Sequence, residues 1–311
     1  LIPGFAAILI AEVIAGLGAT FTSGATEAWI ADEVGEQRAG QLFVRAAQVK
    51  IAGGMIGTIL SVILAIIRLN LPVILSGILL LGLAVYLILR MPETGFKPSN
   101  ESEPKQPLID LSGLRKTAQQ RHPGLLLILA VGFVFAFHSE GFDALWQRQF
   151  LDNFQPALLW FGVIGIGANL FSIIVSEIVR WRVRLKVYES TARTLIVMYC
   201  IMVAGLLIFS LSGQFLVALL AYWGVIAVRG ASIPVSKAWF NQGLESHNRA
   251  TMFSLNSQIG AMGEIIGGPP IGLIGKMFSV RAALAASGTI LAFTLPLLKI
   301  ALRRKPMGES K

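Results

Sequence analysis

Long apolar runs alternate with short polar connections along almost the whole chain. An apolar run of about 18 or more residues is long enough to cross a bilayer as a helix, because the hydrocarbon core takes about 20 residues at helical rise. The pattern predicts helices at roughly Pro3 to Ile30, Leu42 to Ile67, Leu71 to Leu89, Gly124 to Trp146, Ala157 to Val179, Thr194 to Leu211, Phe215 to Ala238, Met252 to Gly275 and Ala282 to Leu302. That makes about nine spanning helices. No stretch reads as a water-soluble domain.

Two of the polar connections share one layout. "TEAWIADEVGEQRAGQLF" (Thr26 to Phe43) and "SKAWFNQGLESHNRATMF" (Ser236 to Phe253) each run from Ala-Trp through a polar patch to Arg-Ala and an apolar restart. Trp29 and Trp239 lie about 210 residues apart, as do Gln48 and Gln258, and Gly57 and Gly267; a fixed period of this kind signals an internal repeat. Arg38 and Arg249 match after a slip of one residue. Three helices precede the hydrophilic stretch 91–122 and six follow it, so the repeat implies a parent with two six-helix halves. The chain is expected to hold helices 4 to 12, with an N-terminal part missing before Leu1. Residues 1–90 then end the first half, 91–122 form a cytoplasmic linker, 123–305 make the second half and 306–311 a cytoplasmic tail. Pro92 to Pro107 has a flexible composition, and "LIDLSGLRKTAQQ" after it suits a short helix on the membrane surface.

Composition supports the membrane reading: 55% of residues are hydrophobic, only 14% are charged and the mean hydropathy is +0.71. The net charge of +9 raises the possibility of a nucleic-acid partner, but the distribution excludes it. Basic residues collect in alternate connections: Arg38 and Arg45; Arg90 to Arg121; Arg180 to Lys186; Lys237 and Arg249; Arg303 to Lys311. The intervening connections carry only Arg68, Arg148, Lys276 and Arg281. The positive-inside rule makes the first set cytoplasmic, and with it the C-terminus. Cys200 stands alone in an apolar run, so no disulfide framework or cysteine metal site is available. It reads as a small core residue.

Charges within spanning segments are costly and mark cavities, partners or transport paths. Glu12 lies in "AEVIAGLGAT". Glu140 and Asp143 are three apart on one helix face at its outer end, beside His138, and suit proton pick-up or binding of a cation. Glu264 lies in "GAMGEIIGGPPIG", where Gly260, Gly263, Gly267 and Gly268 permit close helix approach and Pro269 and Pro270 should bend the helix. Arg229 is either the partner of a buried carboxylate or a residue reaching for the cytoplasmic headgroups. Asn169 reads as a helix-packing amide. In the repeated connections, Trp29 and Trp239 are expected as headgroup anchors, and Asp32, Glu33, Arg38, Glu245 and Arg249 as a charged cytoplasmic gate. No second histidine stands at metal spacing, no nucleophile-base pair appears, and neither a cofactor nor a metal is expected. The run "GVIGIG" (Gly162 to Gly167) follows no strand and is no nucleotide site.

Two six-helix halves in parallel repeat, with a long central loop, are the architecture of a major facilitator transporter. The chain resembles the major facilitator superfamily through "SGATEAWIADEVGE" (Ser23 to Glu36), "MPETGFKP" (Met91 to Pro98), "SEGFDALWQ" (Ser139 to Gln147) and "QIGAMGEIIGGPPIG" (Gln258 to Gly272). Within it, the chain resembles the drug:proton antiporter branch of tetracycline- and macrolide-exporter-like proteins. It departs from that branch twice. Glu12, Gly16 and Gly18 keep the spacing of the R-x-x-x-G-x-G motif but put Glu in place of the proton-relay Arg. The helix that carries the glycine-proline antiporter motif in the family reads "KIAGGMIGTI" here and lacks the proline.

The fold class expected is therefore an all-α membrane protein of the major facilitator type, placed in a plasma (bacterial inner) membrane. The resemblance implies a monomeric secondary transporter exporting small amphipathic or drug-like compounds against protons, with the bilayer, the substrate and protons as its partners. A sugar or metabolite uptake permease is the alternative within transport. "PET" at Pro92 echoes sugar porters, but the E-x(6)-R spacing is missing, with Ala31 and Gln242 at those places. A non-transporting membrane sensor or scaffold is the alternative of another class.

Overall fold

A computed structural model describes residues 4–22, 29–30, 33, 36–92, 123–182, 188–242 and 249–303. Among them all regular structure is helical: α1 (Phe5–Thr22), α2 (Glu36–Ile67), α3 (Leu71–Arg90), α4 (Pro123–Phe154), α5 (Leu159–Arg182), α6 (Tyr188–Leu211), α7 (Phe215–Gln242), α8 (Arg249–Met277), α9 (Val280–Ala292) and α10 (Thr294–Arg303). Among the described residues six segments are long and apolar enough to cross a membrane: Leu71–Arg90, Leu126–Phe154, Leu159–Val179, Glu189–Leu211, Phe215–Phe240 and Val280–Arg303. Helix α8 is absent from this set because Asn256, Ser257, Gln258, Glu264 and its glycines thin its apolar content. The chain is an all-α, multi-pass integral membrane protein. The expected surface helix after Pro107 and most of the expected linker lie outside the described residues.

The chain divides into two units, Leu1–Pro104 and Lys105–Lys311. In the first, α2 and α3 pack as a hairpin whose tight turn is closed by Leu71 N donating to Arg68 O at 3.0 Å. Pro72 suits the first turn of α3, where its missing N–H costs nothing. No residue of α3 is buried, and Ile78, Leu81 and Ile88 are open around it. A helix apolar on every side and uncovered within its own unit belongs against lipid or other membrane helices. Trp29, between α1 and α2, donates from Nε1 to Pro92 O just past the end of α3 at 2.7 Å.

The second unit holds α4 to α10. Helix α4 packs on α8, α9 and α10, helix α7 on α5 and α6, and α6 on α9 and α10. Its core is aromatic: Phe142, Phe150, Phe209, Tyr199 and Trp239 are each at most 2% exposed. Glycines set the closest approaches. A Cβ at Gly263 would meet Phe133 O at 2.7 Å, and one at Gly267 would overlap the Phe137 backbone, so α8 lies backbone to backbone on α4. Gly141 of α4 returns the fit by receiving Ile271 of α8. This is the small-residue packing by which membrane helices gain van der Waals contact. Gly167, the last residue of "GVIGIG", lies under the Trp223 ring of α7, whose Nε1 donates to Ile164 O at 2.9 Å.

Four expectations are corrected. Helix α4 runs on past Trp146 to Phe154, because Gln149 is fully buried and donates from Nε2 to Phe209 O and Ser210 O, both at 3.1 Å, while Phe150 packs on Phe209. It stops where Gln155 takes φ 45°, followed by Pro156. The last span is two helices, since Pro296 cannot donate within the first turn of α10 and Thr294 Oγ1 caps Leu291 O at 2.6 Å instead. Cys200 is exposed on α6 rather than in the core; a small weakly polar side chain tolerates lipid. Trp239 is fully buried in the core of the second unit, not at a headgroup surface.

Candidate functional site

Asp143 and Arg229 form the centre of the candidate site. Arg229 Nη1 and Nη2 donate to Asp143 Oδ1 and Oδ2, both at 2.6 Å, a parallel fork of two charge-assisted hydrogen bonds. The Arg229 guanidinium carbon also lies 6.0 Å from the centre of the Phe142 ring, within cation–π range. Of the two readings open for Arg229, the carboxylate partner is the one realised. The backbones of α4 and α7 approach closely in few places. Their bridge is made by side chains: this ion pair and Tyr222 stacked on Trp146 at 4.8 Å between ring centres.

Glu140 and Asp143 lie near the middle of the 32-residue α4, not at its outer end. Spaced three apart, they share a face. Glu140 leans over Gly268 of α8, where an added Cβ would come within 3.2 Å of Glu140 Cγ. It stands in electrostatic reach of Glu264, Asp143 and Arg229. The close α4–α8 seam is what brings Glu264 up to Glu140, so the glycines of "GAMGEIIGG" place a carboxylate as well as pack a helix. Glu140 thus has two carboxylates and one guanidinium within electrostatic reach, near the middle of α4. Glu140 and Glu264 are exposed on this unit, and charges at that depth face water or protein rather than lipid.

On the other side of α4, His138 is fully buried. Ser287 Oγ donates to His138 O at 3.0 Å and lies 2.8 Å from His138 Nδ1. The hydroxyl has one hydrogen and gives it to the carbonyl, so geometry assigns the ring hydrogen to Nδ1. Nε2 of His138 and Oγ of Ser139 are buried without a hydrogen-bond partner.

Glu264 also lines a cavity of about 370 Å³ between α4, α6, α7 and α8, together with Lys237, Asn256, Ser232, Ser236 and Tyr199. Tyr199 is hydrogen-bonded to the Ser236 side chain and stacked on Phe135 with 5.6 Å between ring centres. Aromatic rings, hydroxyls, an amide and charges of both signs suit an amphipathic ligand. Ser232, Ser236 and Asn256 are site residues that the hydropathy pattern does not single out. The spacing of four between the two serines in α7 was the available signal.

The other expected residues fall elsewhere. Glu12 is exposed on α1 in the first unit. Asp32 and Glu245 lie outside the described residues, while Glu33 is half-buried, Arg38 is near the start of α2 and Arg249 opens α8. Asn169 donates to Gly165 O of its own helix at 3.0 Å.

No family model matches the chain. It is similar to the uncharacterized MFS-type transporter YxaM of Bacillus subtilis (strain 168), 23% identical over 299 residues that cover 94% of this chain and 73% of that protein. The likeness supports membership of the major facilitator superfamily. The all-helical unit with its apolar spans agrees with it.

Proposed function

We propose that the protein is a secondary active transporter that works by alternating access and exports small amphipathic or drug-like compounds in exchange for protons. The observation that carries this reading is Glu140, which stands in reach of Glu264 on one side and of the Asp143–Arg229 pair on the other. Glu140 feels two like charges and one guanidinium already forked to Asp143, so further positive charge is favoured there. A proton or a cationic substrate supplies it, and one displaces the other. That competition is the physical basis of exchange. Similarity to a protein described as an MFS-type transporter supports the class.

In this account Glu140, Asp143, Glu264 and Arg229 handle the proton and the substrate, and the cavity beside Glu264 receives the apolar part of the compound. Glu12 is a further proton-handling carboxylate. Asp32, Glu33 and Arg38, with Glu245 and Arg249 in the second copy, form the cytoplasmic gate, whose short charged connections re-pair as the halves rock. The protein acts as a monomer in the plasma (bacterial inner) membrane with its C-terminus cytoplasmic.

The test is accumulation of ethidium in bacterial cells that lack their own drug pumps. Cells producing the protein are expected to hold less dye, and a protonophore to remove the difference. Uptake of a sugar or metabolite in place of dye export would move the protein to the permeases. Movement of neither class would leave a sensor or scaffold.

A further inference from the structure

The face expected to be poor in positive charge carries only four basic residues, and three of them meet in one place. Arg148 of α4, Lys276 at the end of α8 and Arg281 at the start of α9 line a pocket of about 440 Å³. We propose that this pocket binds a phosphate-bearing anion, either a lipid headgroup or a soluble phosphate.

Four observations converge. Asp152 shares the pocket and sits 3.5 Å from Arg148 Nε, so it offsets one cation and leaves Lys276 and Arg281 in excess. Arg281 is incompletely satisfied: its Nη2 reaches Ser212 O only at 3.5 Å, and its Nε is buried without an acceptor. A buried guanidinium N–H without an acceptor calls for one, and guanidinium forks match phosphate oxygens. Ser279 caps α9 at the pocket wall by accepting from Ala282 N at 3.1 Å, so the positive end of the α9 dipole adds to the field. Finally, the surroundings are apolar and open. Leu145 lines the pocket, and Leu273, Met277 and Phe278 are each more than half exposed nearby. A charged pocket with an apolar rim at a helix end is where a headgroup with acyl chains sits.

The site is separate from the carboxylate cluster, so it stands or falls independently of the transport reading. The test uses the whole chain in detergent, with native mass spectrometry and titration of dihexanoyl phosphatidylglycerol, dihexanoyl phosphatidylcholine and inorganic phosphate. One saturable phosphatidylglycerol is expected, weakened about tenfold by Lys276→Gln and by Arg281→Gln, each of which removes one charge-assisted contact. Lys299→Gln, an exposed position on α10, is expected to bind as the parent does. Tighter binding of phosphatidylglycerol than of phosphate assigns the lipid; equal binding of inorganic phosphate assigns a soluble anion. Lys276 is exposed, so its variant keeps the test valid if Arg281→Gln fails to fold. Binding that ignores both substitutions, equal binding of the zwitterionic lipid, or binding of none of the three overturns the proposal.

Discussion

Asp143 and Arg229, 86 residues apart in sequence, close a two-bond fork at 2.6 Å that joins α4 to α7. The Arg229 side chain is 19% exposed and that of Asp143 48%. The pair therefore stands between a screened surface bridge and a buried one. Its two ends are not equivalent. Removing Arg229 leaves Asp143 and Glu140 without the guanidinium they share, whereas removing the Asp143 charge leaves Arg229 with Glu140 in reach. Arg229→Gln is expected to cost about 2 kcal/mol and Asp143→Asn about 1 kcal/mol, read from thermal unfolding of the purified protein. Equal losses would mean that Glu140 does not feel the guanidinium.

The α4–α8 seam gives a second expectation. A Cβ at Gly267 meets the backbone of Phe137, which has no flexible end to yield, while one at Gly260 meets nothing within 4 Å. Gly267→Ala should destabilise by roughly 1–3 kcal/mol, the usual cost of overpacking. Gly260→Ala should be neutral or slightly stabilising through helix propensity. Because the same seam positions Glu264, Gly267→Ala should also reduce dye export, measured as cellular ethidium at matched protein levels.

Much of this was legible in the amino-acid pattern, and the reasons for the rest are physical. Apolar length located the spans because a bilayer sets that length. It misplaced the end of α4 because Gln149 and Phe150 are held by α6, a tertiary partner that hydropathy does not see. Gly263 and Gly267 could be read as a close-approach surface, since only glycine allows it. The bond between Asp143 and Arg229 could not be read, because both residues were visible as costly charges but nothing local says which helices face each other. The cluster of Arg148, Lys276 and Arg281 is hidden for the same reason: three helices each contribute one residue.

His138 offers a third test. Its Nδ1 sits 2.8 Å from Ser287 Oγ inside the core, so Ser287→Ala removes the partner of a buried ring N–H. A loss of about 1–3 kcal/mol in unfolding free energy is expected, read as a lowered unfolding midpoint. Ser287→Thr keeps the hydroxyl and should lose less. Equal loss from both would make packing the cause.

Trp223 and Gly167 make a fourth. The indole ring covers Gly167, and a Cβ there would overlap it. Gly167→Ala should displace the ring and break its bond to Ile164 O. A change in intrinsic fluorescence should follow and be absent in a Trp223→Phe background. A change that persists in that background would place its source at another tryptophan.

The central claim is that a carboxylate beside the Asp143–Arg229 pair exchanges protons for substrate. The most direct test is a pH gradient in inside-out vesicles, acid inside, followed by an acridine dye while ethidium is added. Ethidium should dissipate the gradient with the parent protein and fail to do so with Glu140→Gln. Dissipation by Glu140→Gln equal to that of the parent, or ethidium transport with the gradient untouched, would contradict the account.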